Sequence, residues 1–119
     1  MENNSNVVQK SWGYELTWAK KEEFTSKILA FSSIGSKTPF IFNADTDKSF
    51  FVNSGSFKLR WINTEDGQIY EQDLNEGQVW DADRLTPYSF QCLTDNSSIT
   101  EVSNGKNSQD SIVIRTEMF

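Results

Sequence analysis

Histidine is absent from all 119 residues, which removes the usual physiological-pH acid–base group and the commonest protein ligand of transition metals. Cysteine is nearly absent too. Cys92 stands alone, so there is no internal disulfide and no thiolate metal cluster, and its neighbours Phe90 and Leu93 mark it as core filler. Positive charge is scarce: 11 Lys and Arg face 17 Asp and Glu, the net charge is -6, and the sequence pI is near 4.5. Phosphate backbones need clustered basic side chains, and Arg60, Arg84 and Arg115 are scattered, so nucleic acid is excluded as a partner. No apolar run approaches the roughly 20 residues that span a bilayer, and Met1 to Gln9 is polar and Asn-rich without the apolar centre of a signal peptide. These absences imply a soluble, cytoplasmic protein without a membrane partner. No stretch shows the i, i+3, i+4 apolar stripe of a helix.

What is present is short alternating runs punctuated by turn residues. Residues 1–10 read as a flexible tail, and residues 11–119 as a single domain. Trp12, Tyr14, Leu16 and Trp18 alternate with Gly13, Glu15 and Thr17, the period of a strand with one apolar face. Further strands are expected over Thr25–Ile34, Thr38–Asn43, Ser49–Asn53, Phe57–Ile62 and Gln68–Leu74, then at Val79–Trp80, Tyr88–Leu93, Ile99–Val102 and Ile112–Ile114. Turn signals at Gly35, Ala44–Asp47, Ser54–Gly55, Asn63–Gly67 and Asn75–Gly77 recur about every 8 to 12 residues, the mark of an all-β sandwich or barrel.

The glycine spacing narrows the fold. Gly35, Gly55 and Gly77 resemble the frame of the cupin superfamily, whose first motif is G-x5-H-x-H-x4-E-x6-G and whose second is G-x5-P-x-G-x2-H-x3-N. The first spacing is met without a gap. The opening Trp12-Gly13-Tyr14-Glu15 and the close Asp110-Ser111-Ile112-Val113-Ile114-Arg115 are similar to the flanks of small cupins such as the C-terminal domain of mannose-6-phosphate isomerase and mannose-1-phosphate guanylyltransferase enzymes. The resemblance implies an antiparallel jelly-roll β-barrel, the double-stranded β-helix, and a homodimer, since cupins commonly pair through their sheets. Trp12 or Trp18 is the expected contact with the second copy.

The motif's chemistry is missing. Its two histidine positions hold Ile41 and Asn43, and its glutamate position holds Lys48. In the second motif the proline and glycine positions hold Asp83 and Leu85, the histidine position Tyr88 and the asparagine position Cys92. The resemblance implies that Ile41, Asn43, Lys48 and Tyr88 face one another inside the barrel. An alkyl group, an amide, an ammonium and a phenol are not a ligand set for a divalent ion, so no metal and no cofactor is expected there. The acidic pairs Asp45/Asp47 and Asp81/Asp83 lack the Gly and bidentate Glu of a calcium loop and read as turn carboxylates.

One buried cation with a phenol and an amide suits a small polar or anionic molecule, and the look-alike family suggests a sugar derivative. Ile41, Asn43, Lys48 and Tyr88 are the candidate ligand-binding residues. An alternative is a metal-independent isomerase or epimerase with a desolvated Lys48 as base and Tyr88 as acid. Another is a non-catalytic dimerising module whose interior is filled by Phe42, Phe50 and Phe90. In a purely structural reading Lys48 runs its methylenes over Phe50 with its ammonium at the rim, and Tyr88 is a core aromatic.

Overall fold

A computed structural model of the chain describes residues 6–104 and 111–114. The alternation becomes β1 (Val7–Lys10), β2 (Gly13–Lys20), β3 (Phe24–Phe31), β4 (Ile41–Asn43), β5 (Lys48–Ser54) and β6 (Ser56–Ile62). These are followed by β7 (Ile69–Asn75), β8 (Val79–Ala82), β9 (Tyr88–Cys92), β10 (Ser98–Asn104) and β11 (Ser111–Val113). There is no helix among the described residues. Two sheets result, one ordered β1-β2-β3-β10-β5-β8 and the other β11-β4-β9-β6-β7, with every ladder antiparallel. Strands that are distant in sequence lie side by side, as in a jelly roll.

Between the sheets lie Phe50, Val52, Phe57, Leu59, Phe90 and Ile99, all essentially removed from water. They come from alternate positions of four strands, as a pleated strand with one buried face requires. Phe50 and Phe90 meet edge to face with ring centroids 4.9 Å apart, the arrangement favoured by aromatic quadrupoles.

The glycine frame has a conformational basis. Gly35, Gly55 and Gly77 have φ of 92°, 82° and 84°, in the left-handed region that side chains disfavour. At Gly55 a Cβ would also collide with the Ser97 hydroxyl. Leu85 occupies the glycine position of the second pattern and keeps the backbone that glycine would adopt, with φ 72°; its amide donates to Asn43 O at 2.7 Å.

One expectation is corrected. Val7–Lys10 is a strand paired with β2, not tail, because Val7 to Lys10 find partners in Leu16 to Gly13; residues 1–5 lie outside the described residues. The apolar face of β2 is its outer one. Tyr14 and Trp18 are exposed, while Glu15 and Thr17 face inward. Trp12, just before the strand, is buried against Phe31 with centroids 4.7 Å apart, and a register shift between Thr17 and Ala19 sets Trp18 apart. Period two fixes which residues share a face but not which face is inside.

Candidate functional site

Next to the aromatic core, toward the β1–β2–β3 side, the sheets enclose a cavity of about 520 Å³. That is within the usual range for small-molecule sites. One wall is the inner face of the six-stranded sheet, with Lys10, Glu15, Lys27, Lys48 and Glu101; the facing wall has Ile41, Tyr88 and Phe90.

The expected constellation is brought together in part. Ile41 and Tyr88 are directly paired between β4 and β9, and both line the cavity with Lys48 from the opposite sheet. Asn43 is buried but is not part of the cavity wall, which corrects its expected place there. One turn of pleat beyond Ile41, it sits where the 83–86 loop crosses, its carbonyl accepting the Leu85 amide.

Lys48 does not reach solvent. Its side chain is 4% exposed, and Nζ lies 3.4 Å from Oε2 of Glu101, whose side chain is 6% exposed. This overturns the expected route to the rim: a buried ammonium needs a counter-charge, and β10 supplies one. The pair arises from register. Glu101 is opposite Phe50 and Ser103 opposite Lys48, so the two charges are diagonal neighbours on the inner face. The contact is a charge contact only, because Glu101 Oε2 is buried and accepts no hydrogen bond.

A second pair lies further out. Lys27, opposite Glu101 in register, directs its ammonium to Glu15 Oε1 at 3.3 Å, and Lys10 lies 3.9 Å from the other oxygen of Glu15. Lys20 completes the wall at its exposed end. Four lysines against two glutamates make this cavity locally cationic in an acidic chain.

Tyr88 holds its proton firmly. Burial pushes its hydroxyl well above the ordinary 10.0, and the carboxylates of Glu101 and Glu15 push it further. At neutral pH it is a neutral hydrogen-bond group.

The expected aromatic plug is not there. Phe50 and Phe90 pack into the core and Phe42 is half-buried, while the cavity stays open beside them. Glu101 was the residue missed by sequence reasoning. Its signal was available: in Ile99-Thr100-Glu101-Val102-Ser103 it shares the parity of Ile99, so a core-facing Ile99 carries Glu101 inward.

The cupin pattern implies a metal, and the side chains do not fit one. Ile41 offers no donor atom, Lys48 places a positive charge in the cavity, and the nearest carboxylate is engaged by that charge. Among the described residues no cluster of three His, Cys, Asp or Glu side chains is placed to hold an ion. No helix of the described residues is long and apolar enough to cross a membrane.

No protein-family model and no curated protein sequence matches the chain. Solved structures do. Oxalate decarboxylase from Bacillus subtilis, determined at pH 4.6, superposes with a TM-score of 0.80 at 17% identity over 94% of this chain and 30% of its own. A variant of the same enzyme gives 0.80 at 16% identity over 91% and 30%. The formate complex of Lactobacillus farciminis oxalate decarboxylase gives 0.80 at 13% identity over 91% and 33%. The chain thus spans about a third or less of these enzymes' length. At such identities the likeness concerns architecture. The two antiparallel sheets, the glycine frame and these superpositions together establish that the chain has the cupin jelly-roll fold.

Proposed function

We propose that this protein is a metal-free binding domain that takes a small polar or anionic molecule, of the class of sugar derivatives and hydroxy acids, into the cavity beside Lys48 and Tyr88. The observation that carries this reading is the cavity of about 520 Å³, whose wall combines buried charge and a phenol with Ile41, Leu29 and Phe90. A few polar groups on an apolar wall give a ligand orientation and affinity together. The fold neighbours are oxalate decarboxylases, one of them in complex with formate, so proteins that contain a barrel of this shape handle small carboxylates. The surplus of lysine supports an anion here too. A test is a fragment screen by heteronuclear NMR. Anionic polyols should shift the methyl signals of Ile41 and Leu29 and leave those of Leu59 unmoved; shifts confined to surface residues reject the reading.

The isomerase alternative is less well supported. A lysine base must have a lone pair to use, whereas Lys48 Nζ is committed to Glu101.

A second proposal concerns the back of the six-stranded sheet: it pairs with a second copy of the chain. Val7, Leu16, Ile28, Thr100, Phe51 and Val79 form one register row across all six strands. Of the residues on the outer face of these strands only Asp81 is charged, and it accepts from Ser49 at 2.6 Å. The outer face of the other sheet is studded with ion pairs instead, Lys58–Asp73 at 2.7 Å and Arg60–Glu71 at 2.8 Å. In a chain of net charge -6, a face with a single charged residue is where two copies meet with least repulsion. Trp18, 58% exposed, belongs to this face; Trp12 is buried and is withdrawn as a contact.

A further inference from the structure

The cavity is polarised along its depth, and the polarity specifies the ligand more narrowly than its size does. Its deep end is made by Glu101, Lys48, Tyr88 and Phe90, each at most 5% exposed. Its open end beyond β3 is made by the exposed Lys20, opposite Thr25; Lys10, also exposed, lies at the other end of β2, opposite Gly13. The two ends ask for different chemistry.

At the deep end the net charge of Lys48 and Glu101 is zero, so a ligand anion gains little there. What is left over is acceptor capacity. Glu101 Oε2 is buried and accepts no hydrogen bond, so its desolvation is offset only by the Lys48 charge 3.4 Å away and it retains room for a donor. The terminal torsion of a carboxylate is broad, so a small turn presents this oxygen to a donor in the cavity. The donor must come from the ligand. An ammonium is disfavoured among four lysines, whereas a hydroxyl adds no charge. At the open end the balance is reversed. Glu15 is shared between Lys27 at 3.3 Å and Lys10 at 3.9 Å, and no ion pair to Lys20 occurs among the described residues. The rim therefore holds uncompensated positive charge and suits an anionic group.

We propose that the ligand is a hydroxylated anion bound with its hydroxyl end against Glu101 and its carboxylate or phosphate at the Lys20 rim. This rests on the binding reading above and adds orientation and substrate class: a polyhydroxy acid or sugar phosphate, as opposed to a fatty acid or a neutral sugar. Glu101 is the residue that discriminates hydroxylated from bare anions, and Lys20 is the one that discriminates anions from neutral polyols.

The test uses the full chain and three six-carbon probes: gluconate, which has hydroxyls and a carboxylate, hexanoate, which has only the carboxylate, and sorbitol, which has only hydroxyls. Calorimetric titration gives affinity, and the methyl signals of Leu29, Ile41 and Val113 report whether the cavity is entered. Gluconate should bind at least about tenfold more tightly than either other probe, the ratio expected when one hydrogen bond to a charged group is gained or lost. Glu101→Gln releases the Lys48 charge to any anion but removes the hydroxyl acceptor, so it should lower the ratio of gluconate to hexanoate affinity by about tenfold. Lys20→Met, at an exposed position that tolerates replacement, should weaken gluconate and hexanoate alike and leave sorbitol unaffected; it keeps the inference testable if Glu101→Gln does not fold. Hexanoate binding as tightly as gluconate, with cavity methyls shifted, overturns this inference while leaving the cavity reading intact. So does gluconate binding that neither variant alters. If none of the three shifts a cavity methyl at millimolar concentration, both fall.

Discussion

Lys48 and Glu101 show what one substitution in a barrel interior entails. A lysine with 4% of its side chain exposed is tolerable only because a carboxylate lies 3.4 Å away. Removing one partner leaves the other charge buried alone, so Lys48→Met is expected to cost about 3–5 kcal/mol in urea denaturation. The double replacement Lys48→Met/Glu101→Leu should recover most of that loss, since well-packed apolar groups often replace buried ion pairs at little cost. A double variant no more stable than Lys48→Met would show that the two residues do not act as a pair. Tyr88 makes a complementary prediction in pH. Its folded-state proton affinity is raised above the ordinary 10.0 by burial and then by Glu101 and Glu15, so the folded state keeps a proton that the unfolded chain releases. The stabilisation is whole below pH 10 and is lost as pH climbs toward the folded value, by up to about 1.4 kcal/mol per pH unit. Tyr88→Phe should flatten the alkaline limb of a stability–pH curve. Tyr70, raised by its hydrogen bond to Asp66, is exposed and serves as the control: Tyr70→Phe should change that limb much less.

Turns and registers decide the elements. Leu85 is held at φ 72° by the bond from its amide to Asn43 O and by the neighbouring Arg84–Asp47 contacts, where the backbone amide of Arg84 donates at 2.8 Å. A leucine in that region is disfavoured by roughly 1–2 kcal/mol, and its side chain is more than half exposed. Leu85→Gly should therefore raise the thermal midpoint, with a net gain of about 0.5–1 kcal/mol after the greater unfolded-state freedom of glycine. Gly55→Ala should do the opposite and lose more than about 1 kcal/mol, because it adds a Cβ at φ 82° and against the Ser97 hydroxyl. These positions also explain what could be read beforehand. Turn chemistry and period two located nearly every strand from β2 onward, because glycine, asparagine and aspartate mark local backbone states. The strand at Val7–Lys10 escaped notice, since its four residues have no strong alternation and are ordered by pairing with β2. The facing of β2 was not legible for a related reason: both faces of the six-stranded sheet carry apolar residues, so hydrophobicity alone cannot choose between them. The convergence of Ile41, Lys48 and Tyr88 was implied by the resemblance to the cupin motifs, whereas Glu101 comes from a strand outside both motifs and enters through register with β5.

At the scale of the whole molecule the two outer faces are unequal, and the inequality predicts assembly. Six strands about 4.8 Å apart, with at least three outward residues on the four longer strands and two each on β1 and β8, give a flat footprint of about 500 Å². Side-chain relief brings this near the roughly 800 Å² per partner that a standard interface buries. Phe51 and Val79, 45% and 60% exposed and adjacent in register, lie toward one edge of the row, with Leu16 and Ile28 on its other half. A two-fold axis near Thr100 would lay each half over the other, and sheets packed this way sit about 10 Å apart. Sedimentation velocity at micromolar concentration should show a species of twice the 13.6 kDa chain mass. Phe51→Lys places two like charges near that axis and should return the protein to monomer with its circular dichroism unchanged. Lys58→Ala, on the ion-paired outer face of the other sheet, should leave the dimer intact. A wild-type chain that sediments as a monomer across this range would reject the pairing, as would a dimer indifferent to Phe51→Lys but broken by Lys58→Ala, since the contact would then lie on the opposite sheet.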